Sequence, residues 1–238
     1  RSQQLRSQQL RSQQLRSRQL RSRQLRSRQL RSKLLRYHIK KRKGGIGLPF
    51  SYAYLCIIDS QVLINEEQFE LILDRLAHQL LEHHDFTNTD LIGLQPRGIR
   101  LAHRLQEKLS MLLENKEIRC GELDVTFHRD DLRMRDKPLA PQQNKMEFLV
   151  DGRSVILVDD VFFTGRTIRA GLDTLLAYGR PDKVELAVLI DRRFSRELPI
   201  EPTYIGKQID SIVGQHVIVE WKEENGSDCV LLFNSKPE

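Results

Sequence analysis

The sequence predicts an α/β protein with a mostly parallel central sheet flanked by helices. A short apolar, β-branched run, Val155 to Val158, is typical of a strand buried on both faces, and a helical pattern follows it. A second unit of strand, turn and helix spans about residues 90–112, and Val184 to Ile190 forms a third buried run. Strands that alternate with helices in this way form parallel sheets. The polar turns between them therefore lie at the carboxyl edge, where such sheets bind ligands.

The chain begins with a segment of low complexity. Residues 1–35 repeat five residues, first Arg-Ser-Gln-Gln-Leu and later Arg-Ser-Arg-Gln-Leu. Five residues turn a helix through about 500°, so successive leucines lie about 140° apart and form no stripe. We therefore predict disorder for 1–35, a basic linker at 36–56 and a domain at 57–234. The repeat is either a basic arm for RNA or another polyanion, or a translated DNA repeat or misplaced start. We favour the second explanation, since no Met precedes Met111.

The charge also separates the tail from the domain. Of the 39 basic residues 16 lie within residues 1–43, which leaves 23 against all 32 acidic residues, a net charge of −9. The basic pI is thus no argument for a nucleic-acid-binding domain. Cys56, Cys120 and Cys229 lie far apart without a Cys-x-x-Cys, which predicts reduced thiols in a cytoplasmic protein. No apolar run approaches the roughly 18 residues of a membrane span, and no secretory signal is visible.

The first helix of the domain is predicted to begin after Asn65, a suitable N-cap, with helical apolar spacing from Phe69 to Leu81. His78 lies four residues from both Asp74 and Glu82 on the polar side of this helix. On periodicity alone, this pattern indicates a solvated surface histidine.

The loop after the strand at 155–158 is the main candidate site. Asp159 and Asp160 are followed by Val161-Phe162-Phe163-Thr164-Gly165-Arg166-Thr167, and then Ile168, Leu172, Leu175 and Leu176 recur at helical spacing. Backbone N–H groups from Thr164 to Thr167 and the helix dipole favour an anion. The carboxylates suit sugar hydroxyls or a hydrated magnesium ion. Together these features predict a ribose 5-phosphate site. Their order resembles the phosphoribosyl-pyrophosphate (PRPP) signature of type I phosphoribosyltransferases.

A second loop, Gln95-Pro96-Arg97-Gly98, separates the strand at 90–94 from a helix with Ala102, Leu105, Leu109 and Leu112 predicted to face inward. Backbone N–H groups and a guanidinium in such a turn can bind an anion. A purely structural βα turn explains the pattern equally well. Beside the first loop, however, it becomes a candidate for the pyrophosphate half of a substrate.

The remaining segments complete the predicted domain. Gly121 to Phe127 is predicted as a strand, and His128 to Met146 lacks periodicity, as is typical of a lid. Strands are predicted at Tyr204 to Lys207 and at Val217 to Trp221. The latter would pair with Cys229 to Phe233 in a C-terminal β-hairpin.

Residues 57–233 are similar to the PyrR family, pyrimidine-operon regulators that are also uracil phosphoribosyltransferases. The central loop specifies only the superfamily, whereas Arg129-Asp130-Asp131 and Arg196 to Ile200 narrow the resemblance to this family. Further matching segments are Leu91 to Gly93 with Arg97-Gly98, Gly121 to Thr126, Gly179 to Pro181, Leu186 to Arg192 and Ile205 to Lys207. The resemblance implies a type I phosphoribosyltransferase fold with a lid, or hood, loop.

The resemblance further implies transfer of the phosphoribosyl group from magnesium–PRPP to uracil, which gives UMP and pyrophosphate. It also implies UMP-responsive binding to the leader mRNA of pyrimidine genes, with attenuation of transcription. Magnesium would arrive with PRPP, with Asp159 or Asp160 as a further contact and no other direct protein ligand. We expect a homo-oligomer, a dimer or higher.

The same resemblance implies residue roles. Asp159, Asp160 and Arg129 are the expected catalytic residues, the acids on the ribose hydroxyls and Arg129 on the lid over the leaving group. Pro96, Arg97 and Gly98 would line the pyrophosphate loop, and Asp159 to Thr167 would bind the sugar and its phosphate. The expected base-binding residues are Ile190, Asp191 and Arg192, and the expected RNA-binding residues are His78, Arg180 and Lys207.

Two departures from the family pattern leave alternatives open. Gln95-Pro96 stands where many members have a Lys-Thr or similar pair, which removes one cation. Arg193-Phe194-Ser195 replaces a Gly-His and is one residue longer. The alternatives are an RNA-binding regulator with vestigial catalysis and a phosphoribosyltransferase that acts on a purine base.

Overall fold

The computed structural model describes residues 60–125, 145–212 and 214–234. The predictions for the repeat at 1–35, the linker at 36–56, the catalytic role of Arg129 and most of the lid fall outside these residues. Among the described residues, no helix has the length and apolar character needed to cross a membrane.

The core is a five-stranded parallel sheet, as the sequence predicts. Its strands lie in the order β3-β2-β4-β5-β6. They are β2 (Thr89–Leu94), β3 (Cys120–Leu123), β4 (Ser154–Phe162), β5 (Lys183–Arg193) and β6 (Tyr204–Asp210). The central strands β4 and β5 are almost wholly buried, since helices cover both faces of the sheet.

Three helices flank this sheet: α1 (Glu66–His83), α2 (Gly98–Leu112) and α3 (Arg166–Leu175). One core layer packs α1 and α2 against one face, and the other packs α3 against the opposite face. The predicted N-cap Asn65 is confirmed, because its side chain accepts a hydrogen bond of 2.9 Å from Gln68 N and Gln68 bonds back in a capping box.

A smaller antiparallel sheet lies beside the core, in the order β1-β8-β7. Its strands are β1 (Ser60–Ile64), β7 (His216–Glu220) and β8 (Cys229–Phe233), and the short helix α4 (Lys222–Asn225) connects β7 to β8. The predicted C-terminal hairpin is therefore confirmed. Arg104 of α2 attaches this connection to the core through hydrogen bonds of 2.9 Å to the buried Asp228.

Several predicted boundaries and faces are wrong. Strand β4 continues through both acids to Phe162, and β5 continues to Arg193. Leu112, the last residue of α2, and Leu176, the residue after α3, are both exposed. Strand β3 ends at Leu123, short of the predicted Phe127.

Candidate functional site

The acid pair lies inside β4. Asp159 and Asp160 are 7% and 4% exposed. Asp159 Oδ1 accepts a hydrogen bond of 2.9 Å from Asp160 N, and Asp160 Oδ1 accepts one of 2.7 Å from Val161 N. Each carboxyl group is thus fixed by the next backbone N–H.

The surroundings of the Asp160 carboxyl group disfavour its charged form. Burial raises the pKa of its carboxyl above the ordinary value, while the charge of Arg97 and the neighbouring hydrogen bonds oppose that shift. Its Oδ2 is buried without a hydrogen-bond partner among the described residues. A buried oxygen in this state costs free energy unless a partner satisfies it, which is typical of a ligand site.

The phosphate-type loop follows at the carboxyl end of β4. Gly165 has φ 91°, a left-handed conformation that glycine adopts at little cost, and α3 begins at Arg166. Arg166 N donates to Thr164 Oγ1 over 3.4 Å. The turn thus directs the amino end of α3, where a helix attracts anions, toward the space beside the acid pair.

The segment Arg196 to Ile200 supports this loop, a role that the sequence did not predict. Glu197 N and Leu198 N both donate to the carbonyl oxygen of Thr164, over 3.1 and 3.2 Å, and Arg166 pairs with Glu197 at 2.6 Å. Long-range backbone hydrogen bonds of this kind leave no periodic pattern. The contact could have been expected only from chain order, because the segment leaves β5, the neighbour of β4, at the same edge of the sheet.

The second predicted loop lies directly against the acid pair. It passes through a cis Gln95–Pro96 peptide bond to the exposed Arg97. A Cβ atom built on Gly98 would lie 2.9 Å from Asp159 Cα and closer still to the carbonyl oxygen of Val158. Only glycine permits this approach, which brings the amino end of α2 and the amino end of α3 to one edge of the sheet.

The predicted base-binding residues end β5 and are buried. Asp191 accepts hydrogen bonds from Arg196 Nη2 at 2.9 Å and Gln208 Nε2 at 3.2 Å. Arg192 donates to Ser211 and Gln215, and Ile190 lies in the core. Their side chains therefore contact neighbouring residues of the domain at the end of β5. Direct contact with a base stays a prediction.

The predicted RNA-binding residues lie on α1, on β6 and just before β5. His78 is exposed, with its ring Nδ1 2.7 Å from the carbonyl oxygen of Asp74. Lys207 donates to the carbonyl oxygen of Leu63 over 2.9 Å. Arg180 lies near the start of β5, at the edge opposite the acid pair, and RNA binding by these three residues stays a prediction.

Comparisons with known proteins agree with this geometry. The profile of the family described as "Phosphoribosyl transferase domain" matches residues 60–224. "Bifunctional protein PyrR" of Elusimicrobium minutum is 42% identical over 169 residues, which cover 70% of this chain and 93% of that protein. Its namesake in Brevibacillus brevis is 41% identical over 175 residues, 73% and 97% of the two chains.

The likeness extends to solved structures at low identity. A hypoxanthine phosphoribosyltransferase from Staphylococcus aureus matches with a TM-score of 0.54 and 17% identity, over 74% of this chain and 93% of that chain. At such identity the match shows the fold alone, that of the type I phosphoribosyltransferases.

Proposed function

Because this chain belongs to the PyrR family of phosphoribosyltransferase-domain proteins, we propose that it transfers the phosphoribosyl group of PRPP to uracil, which yields UMP and pyrophosphate. The observation that carries this proposal is the acid pair of β4 between two helix amino ends. Sugar hydroxyls need acceptors, whereas the two phosphate groups of PRPP need donors and positive charge. The site offers both at one edge of the sheet.

The chain's own residues act by positioning and by charge. Asp159 and Asp160 accept hydrogen bonds from the ribose hydroxyls, and the N–H groups of residues 164–167 hold the 5-phosphate. Arg97 neutralises charge on the departing pyrophosphate while positive charge develops at C1 of the ribose. Fixing both ends of PRPP leaves C1 exposed to the incoming base without a strong general base.

The residues present are compatible with magnesium. Carboxylate oxygens are the donors that this ion prefers, and Asp160 has a buried oxygen that accepts no hydrogen bond from the residues that the structure describes. We propose that the ion arrives bound to PRPP; among the described residues no group of three or more potential ligands forms a metal site. When bound, the ion neutralises phosphate charge.

A pyrophosphate-release assay tests the enzymatic proposal. Protein, magnesium and PRPP are mixed with uracil, with hypoxanthine or without base. We expect release with uracil only. Release with hypoxanthine alone would favour a purine-base enzyme, and no release together with no PRPP binding would overturn the proposal.

We further propose that the protein regulates pyrimidine biosynthetic genes in the cytoplasm by UMP-responsive binding to leader mRNA. Family membership supports this proposal, and the relatives bear the word "bifunctional" in their names. UMP should tighten binding to such an RNA, and added salt should weaken it. Binding that UMP leaves unchanged would contradict the regulatory role. Light scattering tests the expected homo-oligomer.

A further inference from the structure

Phe163 is an aromatic residue exposed in the middle of the candidate site. It follows β4 directly and lies between the acid pair and the Thr164–Gly165 turn. Its side chain is 43% exposed, although its neighbour Phe162 is buried in the core. A single exposed aromatic ring is ordinary by itself, but aromatic side chains commonly line ligand pockets, and this one lies within the candidate site.

One side of this ring is already supported. The guanidinium of Arg192 lies over Phe163, with Cζ 4.1 Å from the ring centroid. Arg192 is only 6% exposed, and its Nε and Nη2 donate hydrogen bonds of 2.9 Å to Ser211 Oγ and the carbonyl oxygen of Gln215. These two hydrogen bonds hold the guanidinium in place, so the ring stacked on it is also held.

The position of the ring matches the place where a base must arrive. PRPP held by the acids and by residues 164–167 would span the loop that carries Phe163. The Phe163–Arg192 stack also connects this loop to the end of β5, where the base is predicted to bind. Two nitrogens of Arg192 are hydrogen-bonded to the protein. Arg192 therefore acts on the base indirectly, by holding the ring of Phe163.

Resting on the proposed function, we infer that Phe163 is a base-binding residue whose ring stacks on the face of the pyrimidine. Arg192 is then a positioning residue beneath it. Stacking between a base and an aromatic ring depends on a flat π surface, which aliphatic side chains lack. Phe163 carries no titratable group, so this loop position contributes packing and not proton transfer.

Phe194 provides a matched control. It is a second exposed phenylalanine beside an arginine, with Arg193 Cζ 5.3 Å from its ring centroid. It is 83% exposed and lies beyond the end of β5. Its replacement alters a similar side chain at a position outside the acid pair and the Thr164–Gly165 turn.

Calorimetric binding of UMP and of ribose 5-phosphate tests the inference, because the two ligands differ by the base. In Phe163→Leu we expect the ratio of UMP affinity to ribose 5-phosphate affinity to fall roughly 5- to 150-fold, the range of one lost stacking contact. Phe194→Leu should keep the wild-type ratio. Arg192→Lys, which keeps the charge without the flat guanidinium, should lower the ratio while ribose 5-phosphate still binds.

An unchanged ratio in Phe163→Leu, or equal weakening of both ligands, would overturn the stacking role. An unchanged ratio in Arg192→Lys would overturn the positioning role. Failure of the proposed function is a separate result, seen in the wild-type protein as the absence of uracil-dependent pyrophosphate release.

Discussion

Replacing Asp160 by asparagine is expected to weaken the substrate complex without weakening the fold. Asparagine has nearly the same shape and keeps an Oδ1 acceptor for Val161 N, which lies at 2.7 Å. It removes a carboxylate that burial makes costly, as the raised pKa of Asp160 indicates. The free energy of unfolding at neutral pH should therefore stay the same or rise. A group whose pKa is raised by folding costs stability as pH rises, so any gain should shrink in acid.

The Asp160→Asn variant should instead lose catalytic efficiency. A hydrogen bond from a ribose hydroxyl to a charged acceptor contributes about 1.5–3 kcal/mol, which corresponds to a loss of roughly 10- to 150-fold in kcat/KM for PRPP. Steady-state kinetics and urea denaturation measure the two effects. Asp173→Asn is the control, because Asp173 is exposed on α3 and pairs only weakly with Arg169 at 3.4 Å. Equal losses in the two variants, or an Asp160→Asn protein that unfolds more easily, would refute the reasoning.

Three further predictions concern the surroundings of the site. Gly98→Ala should raise the KM for PRPP at least about 10-fold and destabilise the protein by about 1–3 kcal/mol, because its Cβ would lie 2.9 Å from Asp159 Cα. Steady-state kinetics with varied PRPP measure this KM, and an unchanged KM would contradict the prediction. Burial lowers the pKa of His84 below 6.5, so the unfolded chain binds that proton more tightly and the free energy of unfolding should fall as pH decreases below 6.5. Urea denaturation at several pH values should show that the free energy of unfolding depends less on pH in His84→Gln than in the wild type. An equal pH dependence would exclude this histidine as the cause. Arg104→Met leaves the buried Asp228 without its ion pair and should lower the free energy of unfolding by about 3–5 kcal/mol. Denaturation measures this change, and an unchanged free energy of unfolding would show that the pair contributes nothing.

The parts of the fold that the sequence predicts are those with a local pattern. The run from Val155 to Val158 is typical of a buried strand, and the order of acids, Thr164 and Gly165 predicts a ligand loop after it. The boundary was harder to predict, because two carboxylates normally end a buried strand. Here β4 continues to Phe162, and the next backbone N–H donates a hydrogen bond to Oδ1 of each acid inside the strand.

The parts that could not be predicted depend on contacts between distant segments. Nothing in the pattern of residues 196–200 indicates that Glu197 and Leu198 bind the carbonyl of Thr164. The burial of Arg192 is equally unexpected for an arginine, and it becomes possible only because Ser211 and Gln215 satisfy the guanidinium. Long-range partners therefore decide which candidate residues face a ligand and which support those that do.

A crystal structure of the protein with magnesium and PRPP tests the central claim most directly. We expect 5-phosphate oxygens within hydrogen-bond distance of the N–H groups of residues 164–167, and ribose hydroxyls that donate to Asp159 and Asp160. A 5-phosphate bound elsewhere, or a ribose that contacts neither carboxylate, would contradict it.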